Sequence, residues 1–168
     1  AAMRTNSLRS SEAGLKYFIL GAFSSGLLLF GSSLIYGFTG TTQFEELAKL
    51  MTGISNTPDL VSTGLVVGVV FIAIALLFKA SAAPFHMWAI DVYEGAPTIV
   101  STFFAVVPKI AILGLFTRIF YFSFYDLIDS WQQIIVLCSL GSMVLAAFVA
   151  LQQRKIKRFL AYSSVGHV

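Results

Sequence analysis

The chain has 168 residues, of which 57% are apolar and 11% charged, and its mean hydropathy is +0.85. A soluble domain carries about a quarter charged residues, so this composition excludes one and points to a bilayer. The net charge of +3 does not indicate nucleic acid, because the basic residues do not interleave with aromatics on a polar face, and orientation in the membrane explains it better.

Sixteen Phe without ten-residue polar/apolar alternation favour a helix bundle over a barrel, in spans of roughly 20 residues. The single cysteine, Cys138, excludes an intrachain disulfide or an iron–sulfur cluster held by this chain alone. The first sixteen residues contain Arg4, Arg9, Glu12 and Lys16 with no apolar core between them, which is not the pattern of a secretory signal. The fold class expected is therefore all-α, a polytopic transmembrane bundle over 1–168 with about four full spans and the start of a fifth.

The first span is expected over 12–38. Ser10 or Ser11 can cap it, Glu12 and Lys16 form an i,i+4 pair in the favourable order, and Gly21, Ser24, Ser25, Gly26, Gly31, Ser32 and Ser33 allow another helix to approach closely. Residues 39–59 form a loop with a short surface helix in QFEELAKLM. Pro58 and Asp59 then set up a second span over 60–80, with Asp59 as its N-cap. Pro84 has no N–H to donate and crowds the carbonyl of Ala80, so this helix breaks just past Lys79, with a continuation over 85–95. Asp91 and Glu94 are expected to fix the turn that follows.

The third span covers 98–122, with Pro108 and Lys109 near its middle. A loop over 123–130 carries Asp126 and Asp129, and Trp131 marks an interface before the fourth span, 131–151. Four basic residues then fall in the five positions 154–158, and 159–168 opens an incomplete fifth span. Ten residues rise only about 15 Å as a helix, so the chain is expected to be a piece of a larger protein. Alternating the loops places Arg4, Arg9, Lys16, Glu12, Asp91, Glu94 and the 154–158 cluster on one side, which the positive-inside rule assigns to the matrix or cytoplasm. The cluster is expected to set this orientation and to meet anionic lipid headgroups.

The chemistry rests on charges inside spans. Lys109 is the twelfth residue of the 25 in 98–122, too deep to snorkel, and a central lysine costs about 2.5 to 3.5 kcal/mol to insert. It therefore needs a partner or a lowered proton affinity, and is a candidate proton relay; the competing reading is a lysine packed at a structural contact. Pro108 frees the carbonyl of Phe104 to hold a water or the ammonium. Lys79 taken alone is equally readable as an interfacial lysine, but beside a broken helix it becomes a second relay candidate. Lys16 and His86 are weaker candidates, each with a structural reading at least as good. No metal, phosphate-loop, nucleophile or dinucleotide motif is present.

Four blocks in one order, EAGLKYFILGAFSSGLLLFG (12–31), FKASAAPFHMWAIDVYEGAP (78–97), VPKIAILG (107–114) and IKRFLAYSSVGH (156–167), resemble the subunit 2 family of respiratory complex I, the proton-pumping NADH:quinone oxidoreductase, among its antiporter-like subunits. The resemblance implies an inverted-repeat fold of which this chain covers the sixth helix to the start of the tenth, with Lys79 and Lys109 on the family's hydrophilic axis as proton relay and Lys16 matching a lysine on the sixth helix. It implies proton translocation coupled to quinone reduction. NADH, FMN, iron–sulfur clusters and quinone are then expected in other subunits, with no cofactor in this chain. The partners implied are other membrane-arm subunits, the remainder of the same subunit and lipid. The membrane implied is the mitochondrial inner membrane or, alternatively, a bacterial plasma membrane. Three departures stand out: the acidic partner of Lys79 and the second repeat lie outside these residues, Ala89-Ile90 replaces a usual Thr-Pro, and Ile99 replaces a frequent proline. The competing functions are a subunit of a cation/proton antiporter complex and a structural membrane subunit without transport.

Overall fold

The computed structural model describes residues 7–55 and 63–168. Among these residues there are seven α-helices: α1 (Leu8–Thr39), α2 (Phe44–Ser55), α3 (Thr63–Ala80), α4 (Met87–Gly95), α5 (Thr98–Phe116), α6 (Ile128–Leu151) and α7 (Ile156–Gly166). No strand occurs among the described residues. Four helical segments, Leu8–Thr39, Thr63–Ala80, Thr98–Ser123 and Tyr125–Leu151, are long and apolar enough to cross a membrane.

α1 starts a turn before the expected cap. Ser7 rather than Ser10 or Ser11 is the N-cap, its hydroxyl accepting from the backbone N–H of Ser10 at 3.3 Å. The helix ends where Gly40 takes a left-handed φ of 70° and returns its N–H to Tyr36, a conformation that glycine adopts without a Cβ penalty. Of the small residues on α1, Gly31 is the one whose hydrogen is indispensable. A Cβ there would lie 2.8 Å from the Gly68 carbonyl oxygen, and one on Gly68 would lie 3.1 Å from that of Gly31. The two backbones touch, as small residues permit in lipid.

α2 is the expected surface helix. Leu47 and Met51 point inward, while Glu45 and Glu46 occupy its first turn, where the helix dipole favours them. The proposed Asp59 cap falls outside the described residues.

The loop expected over 123–130 is largely absent. α5 runs on as a π-helix, Thr117–Ser123, and a 3-10 turn, Tyr125–Leu127, delivers the chain straight into α6. Aromatic packing holds this tight connection. Phe116 stacks on Phe120 at 4.5 Å, Trp131 lies edge-on to Phe120 at 5.1 Å, and its indole N–H donates to the Phe124 carbonyl at 2.9 Å. Ser123 donates to the carbonyl of Phe44, and Thr52 to Asp126 at 3.0 Å, so α2 is tied to this end of the bundle.

The break after Lys79 is present. α3 stops at Ala80, Ser81 adopts a φ of 63°, Ala83–Pro84 is cis, and α4 resumes at Met87. The carbonyls released there are taken by the protein itself. Phe78 accepts from the Trp88 indole at 3.0 Å, and Leu77 from the Ala82 N–H at 3.0 Å. The Ala83 N–H donates to Ser142 on α6 at 2.7 Å.

α7 begins at Ile156, three residues before the expected start, so Lys157 and Arg158 stand in its first turn. They are drawn in by α4, as described next.

Candidate functional site

Two environments for charge are built from these helices. The first lies where α1 begins, α4 ends and α7 begins. Gly95 makes it possible, because α1 crosses so closely that a Cβ there would lie 2.6 Å from that of Ala13 and 2.9 Å from the Arg9 carbonyl oxygen. Lys16 reaches Glu12 and Asp91, each at 2.7 Å. Arg158 contacts Asp91 at 3.8 Å and also pairs with Glu94, which pairs in turn with Lys155. Lys157 donates to the Ala96 carbonyl at 2.8 Å. The ion-paired groups, without Lys157, surround a cavity of about 280 Å³.

This network revises three expectations. Asp91 and Glu94 do not cap a turn: both lie within α4 and bind residues of α1 and α7. The 154–158 cluster spends Lys155, Lys157 and Arg158 on protein partners rather than leaving all of them for lipid. Lys16 is bridged by two carboxylates, one of them 75 residues away. The side assignment from alternating loops is reproduced in space, since Arg9, Glu12, Lys16, Asp91, Glu94, Lys155 and Arg158 line one cavity.

The second environment is inside the bundle. Lys109 is 8% exposed although most of α5 faces outward. Its Nζ donates to the backbone carbonyl of Ser164 on α7, and among the described residues no carboxylate reaches it. It lines a cavity of about 500 Å³ whose polar lining comes from Tyr93, Thr98, Ser101, Thr102, Lys157, Ser163, Ser164 and His167, against a wall of Ala105, Val106, Ile110, Leu113 and Leu160. Lys157, which bonds the Ala96 carbonyl beside the charged network, thus shares this cavity with the buried amine.

Lys79 occupies a different cavity, of about 300 Å³, lined by Tyr17, Gly21, Phe78, Trp88, Phe104, Pro108, Ala111 and Ile112. Its Nζ donates to the Ser25 hydroxyl at 3.3 Å. The two lysines thus face separate spaces, with Pro108 and Lys109, adjacent in α5, each turned to one of them. His86 is buried near Tyr162 at 6.3 Å, with its Nδ1 unpaired. Among the described residues no group of three or more His, Cys, Asp or Glu is placed to hold a metal ion.

The carbonyl that Pro108 frees has an owner. Tyr93 donates its phenolic O–H to Phe104 at 3.0 Å, while the Lys109 ammonium goes to Ser164 instead. Tyr93 and Ser164 are the residues that sequence reasoning missed at this site. A serine or tyrosine in a membrane helix carries no signal of its own, and only the position of Pro108, four residues after Phe104, marked an acceptor in need of a donor.

The comparisons with known proteins agree with this architecture. Residues 1–168 match the family described as NADH:quinone oxidoreductase/Mrp antiporter, transmembrane. The chain is 59% identical over 169 residues to NADH-ubiquinone oxidoreductase chain 2 of Marchantia polymorpha. It is 56% identical over 168 residues to NADH-quinone oxidoreductase subunit N of Rhodospirillum rubrum. Both alignments cover 100% of this chain and 34% of the relative, so the chain spans about a third of the length of the curated relatives it matches. Among solved structures, a chain of the archaeal membrane-bound sulfane sulfur reductase superposes with a TM-score of 0.84 at 32% identity, over 98% of this chain and 33% of that one. Respiratory complex I from Thermus thermophilus gives 0.77 at 31%, over 97% and 33%. The Mrp complex from Dietzia sp. shares the fold, with a TM-score of 0.82 at 23% identity over 95% and 28%.

Proposed function

The chain belongs to the NADH:quinone oxidoreductase/Mrp antiporter transmembrane family, and from that premise we propose that it forms part of a membrane-arm subunit of a respiratory NADH:quinone oxidoreductase and passes protons through Lys109 and Lys79. The observation that carries this reading is Lys109 itself. It is a buried amine with a carbonyl rather than a carboxylate as partner, opening on a largely apolar cavity that also carries serine, threonine and tyrosine hydroxyls. A lysine locked in a salt bridge holds its proton; one with a neutral partner and room for water can release and regain it. Lys79, bonded to a hydroxyl beside the helix break, meets the same condition. Lys16 is held by two carboxylates and serves structure in this reading, while His86 stays a lesser relay candidate.

Redox chemistry belongs to other subunits, which bind NADH, FMN, iron–sulfur clusters and quinone, and the coupling to this chain is electrostatic. The host membrane is the mitochondrial inner membrane, with the charged face toward the matrix; in a bacterial setting it is the plasma membrane, with that face toward the cytoplasm. The relatives in both plants and bacteria support either setting.

The test is substitution in the intact complex, reconstituted in sealed vesicles. Lys79→Ala combined with Lys109→Ala is expected to abolish NADH-driven proton translocation while the complex still assembles. Wild-type pumping by an assembled double variant would leave the structural-subunit reading, and sodium-dependent transport without NADH oxidation would favour an antiporter complex.

A further inference from the structure

We propose that Tyr93 is a positioning residue for Lys109: by donating to the Phe104 carbonyl, it pins the turn of α5 in which Pro108 removes a helical donor and so holds the lysine in line with Ser164. The inference rests on the reading of Lys109 as a proton relay and names the group that sets its geometry.

Pro108 has no N–H, so the carbonyl four residues earlier loses its helical donor, and a buried carbonyl without a donor is unfavourable. The chain supplies one from a separate helix. Tyr93 is 4% exposed and its phenol lies 3.0 Å from the Phe104 oxygen. The same residue is gripped a second time, through its backbone, because the Ser101 hydroxyl donates to the Tyr93 carbonyl at 2.9 Å. Tyr93 and Ser164 line the same cavity, and the Ser164 carbonyl accepts from Lys109.

The result is a circuit of contacts across three helices, running from Tyr93 on α4 to Phe104 and Lys109 on α5 and on to Ser164 on α7. Tyr93 lies between Asp91 and Glu94, whose ion pairs clamp the same C-terminal turn of α4. Displacement of α4 is therefore passed through one phenol to the turn carrying Lys109. Proton transfer is steeply sensitive to misplacement of this kind.

The experiment is a double-mutant cycle in the full-length subunit within the assembled complex, using Tyr93→Phe, Pro108→Ala and the pair, with proton translocation per assembled complex as the readout. Pro108→Ala returns an N–H to the Phe104 carbonyl, so it removes the need that Tyr93 meets. Tyr93→Phe alone should lower translocation about fivefold, the equivalent of one lost hydrogen bond. In the Pro108→Ala background it should change it by less than about twofold. Wild-type translocation in Tyr93→Phe, or an equal loss in both backgrounds, would overturn the proposal, the second outcome marking a role in packing or in carrying the proton. If Tyr93→Phe fails to assemble, recovery of assembly in the pair supports the proposal and its absence overturns it. If Pro108→Ala itself stops turnover, the same cycle is read on thermal stability of the assembled complex, where additivity overturns it. Lys109→Ala separates the two levels: normal translocation there defeats the relay reading, whereas a defective Lys109→Ala beside an unaffected Tyr93→Phe defeats this inference alone.

Discussion

Lys16 and Lys109 both stand on membrane helices of the same family fold, yet their surroundings are opposites. Lys16 meets two carboxylates at 2.7 Å and is one knot in a network joining α1, α4 and α7. Lys109 is buried, donates to a backbone carbonyl, and borders a largely apolar cavity that carries several hydroxyls. A paired charge at the rim is held in its ionised state by its partner, and what it contributes is attachment. An interior amine whose partner is a neutral carbonyl has no opposite charge to hold its proton, and in the proposed reading what it contributes is exchange. The two sites are connected by α4, which carries Asp91 and Glu94 into the network and Tyr93 into the Lys109 circuit.

Substitutions can break this contrast at either end, and the largest expected effect is at Lys109. Lys109→Ala should lower proton translocation at least about tenfold, because removing a group that exchanges the proton costs more than one ordinary hydrogen bond, and the complex should still assemble since the alanine leaves no buried charge behind. Gly95→Ala comes next and acts on the rim. The new Cβ meets the backbone of Arg9 and the side chain of Ala13, neither of which can swing away, so a loss of about 1–3 kcal/mol in stability is expected, visible as a lower melting temperature of the assembled complex.

Glu94→Gln removes the charge that Lys155 and Arg158 share. About 1–2 kcal/mol of stability should go with it, measurable in the same melting experiment, with turnover per assembled complex retained. Lys16→Ala should have the smallest effect, because Lys16 is substantially exposed and Arg158 remains near Asp91. Its translocation is expected to match the wild type, and a loss as large as that of Lys109→Ala would show that the rim carries protons too.

Several of these features were legible in the sequence. The break after Lys79 follows from Pro84, the depth of Lys109 from its place in an uncharged run, and the grouping of the rim charges from counting sides. What was not legible depends on contacts between distant residues. Lys16 and Asp91 lie 75 residues apart, and Lys109 and Ser164 55 apart, with nothing in either neighbourhood that names the other. The reading of the Phe104 carbonyl was right about its cause and wrong about its occupant, since a proline marks which acceptor is released but not which helix packs against it. The connection between α5 and α6 was misjudged for a related reason: two aspartates suggested a loop, while the stacking of Phe116, Phe120 and Trp131 favours continued helix.

The contrast between rim and interior is tested most directly by measuring NADH-driven proton translocation per assembled complex for Lys109→Ala and Glu94→Gln side by side in sealed vesicles. The account predicts that Lys109→Ala assembles in normal amount and pumps at least about tenfold less, while Glu94→Gln assembles less well and pumps normally for each complex formed. The reverse pattern, with Lys109→Ala failing to assemble but pumping normally per complex, and Glu94→Gln assembling fully but failing to pump, would contradict it.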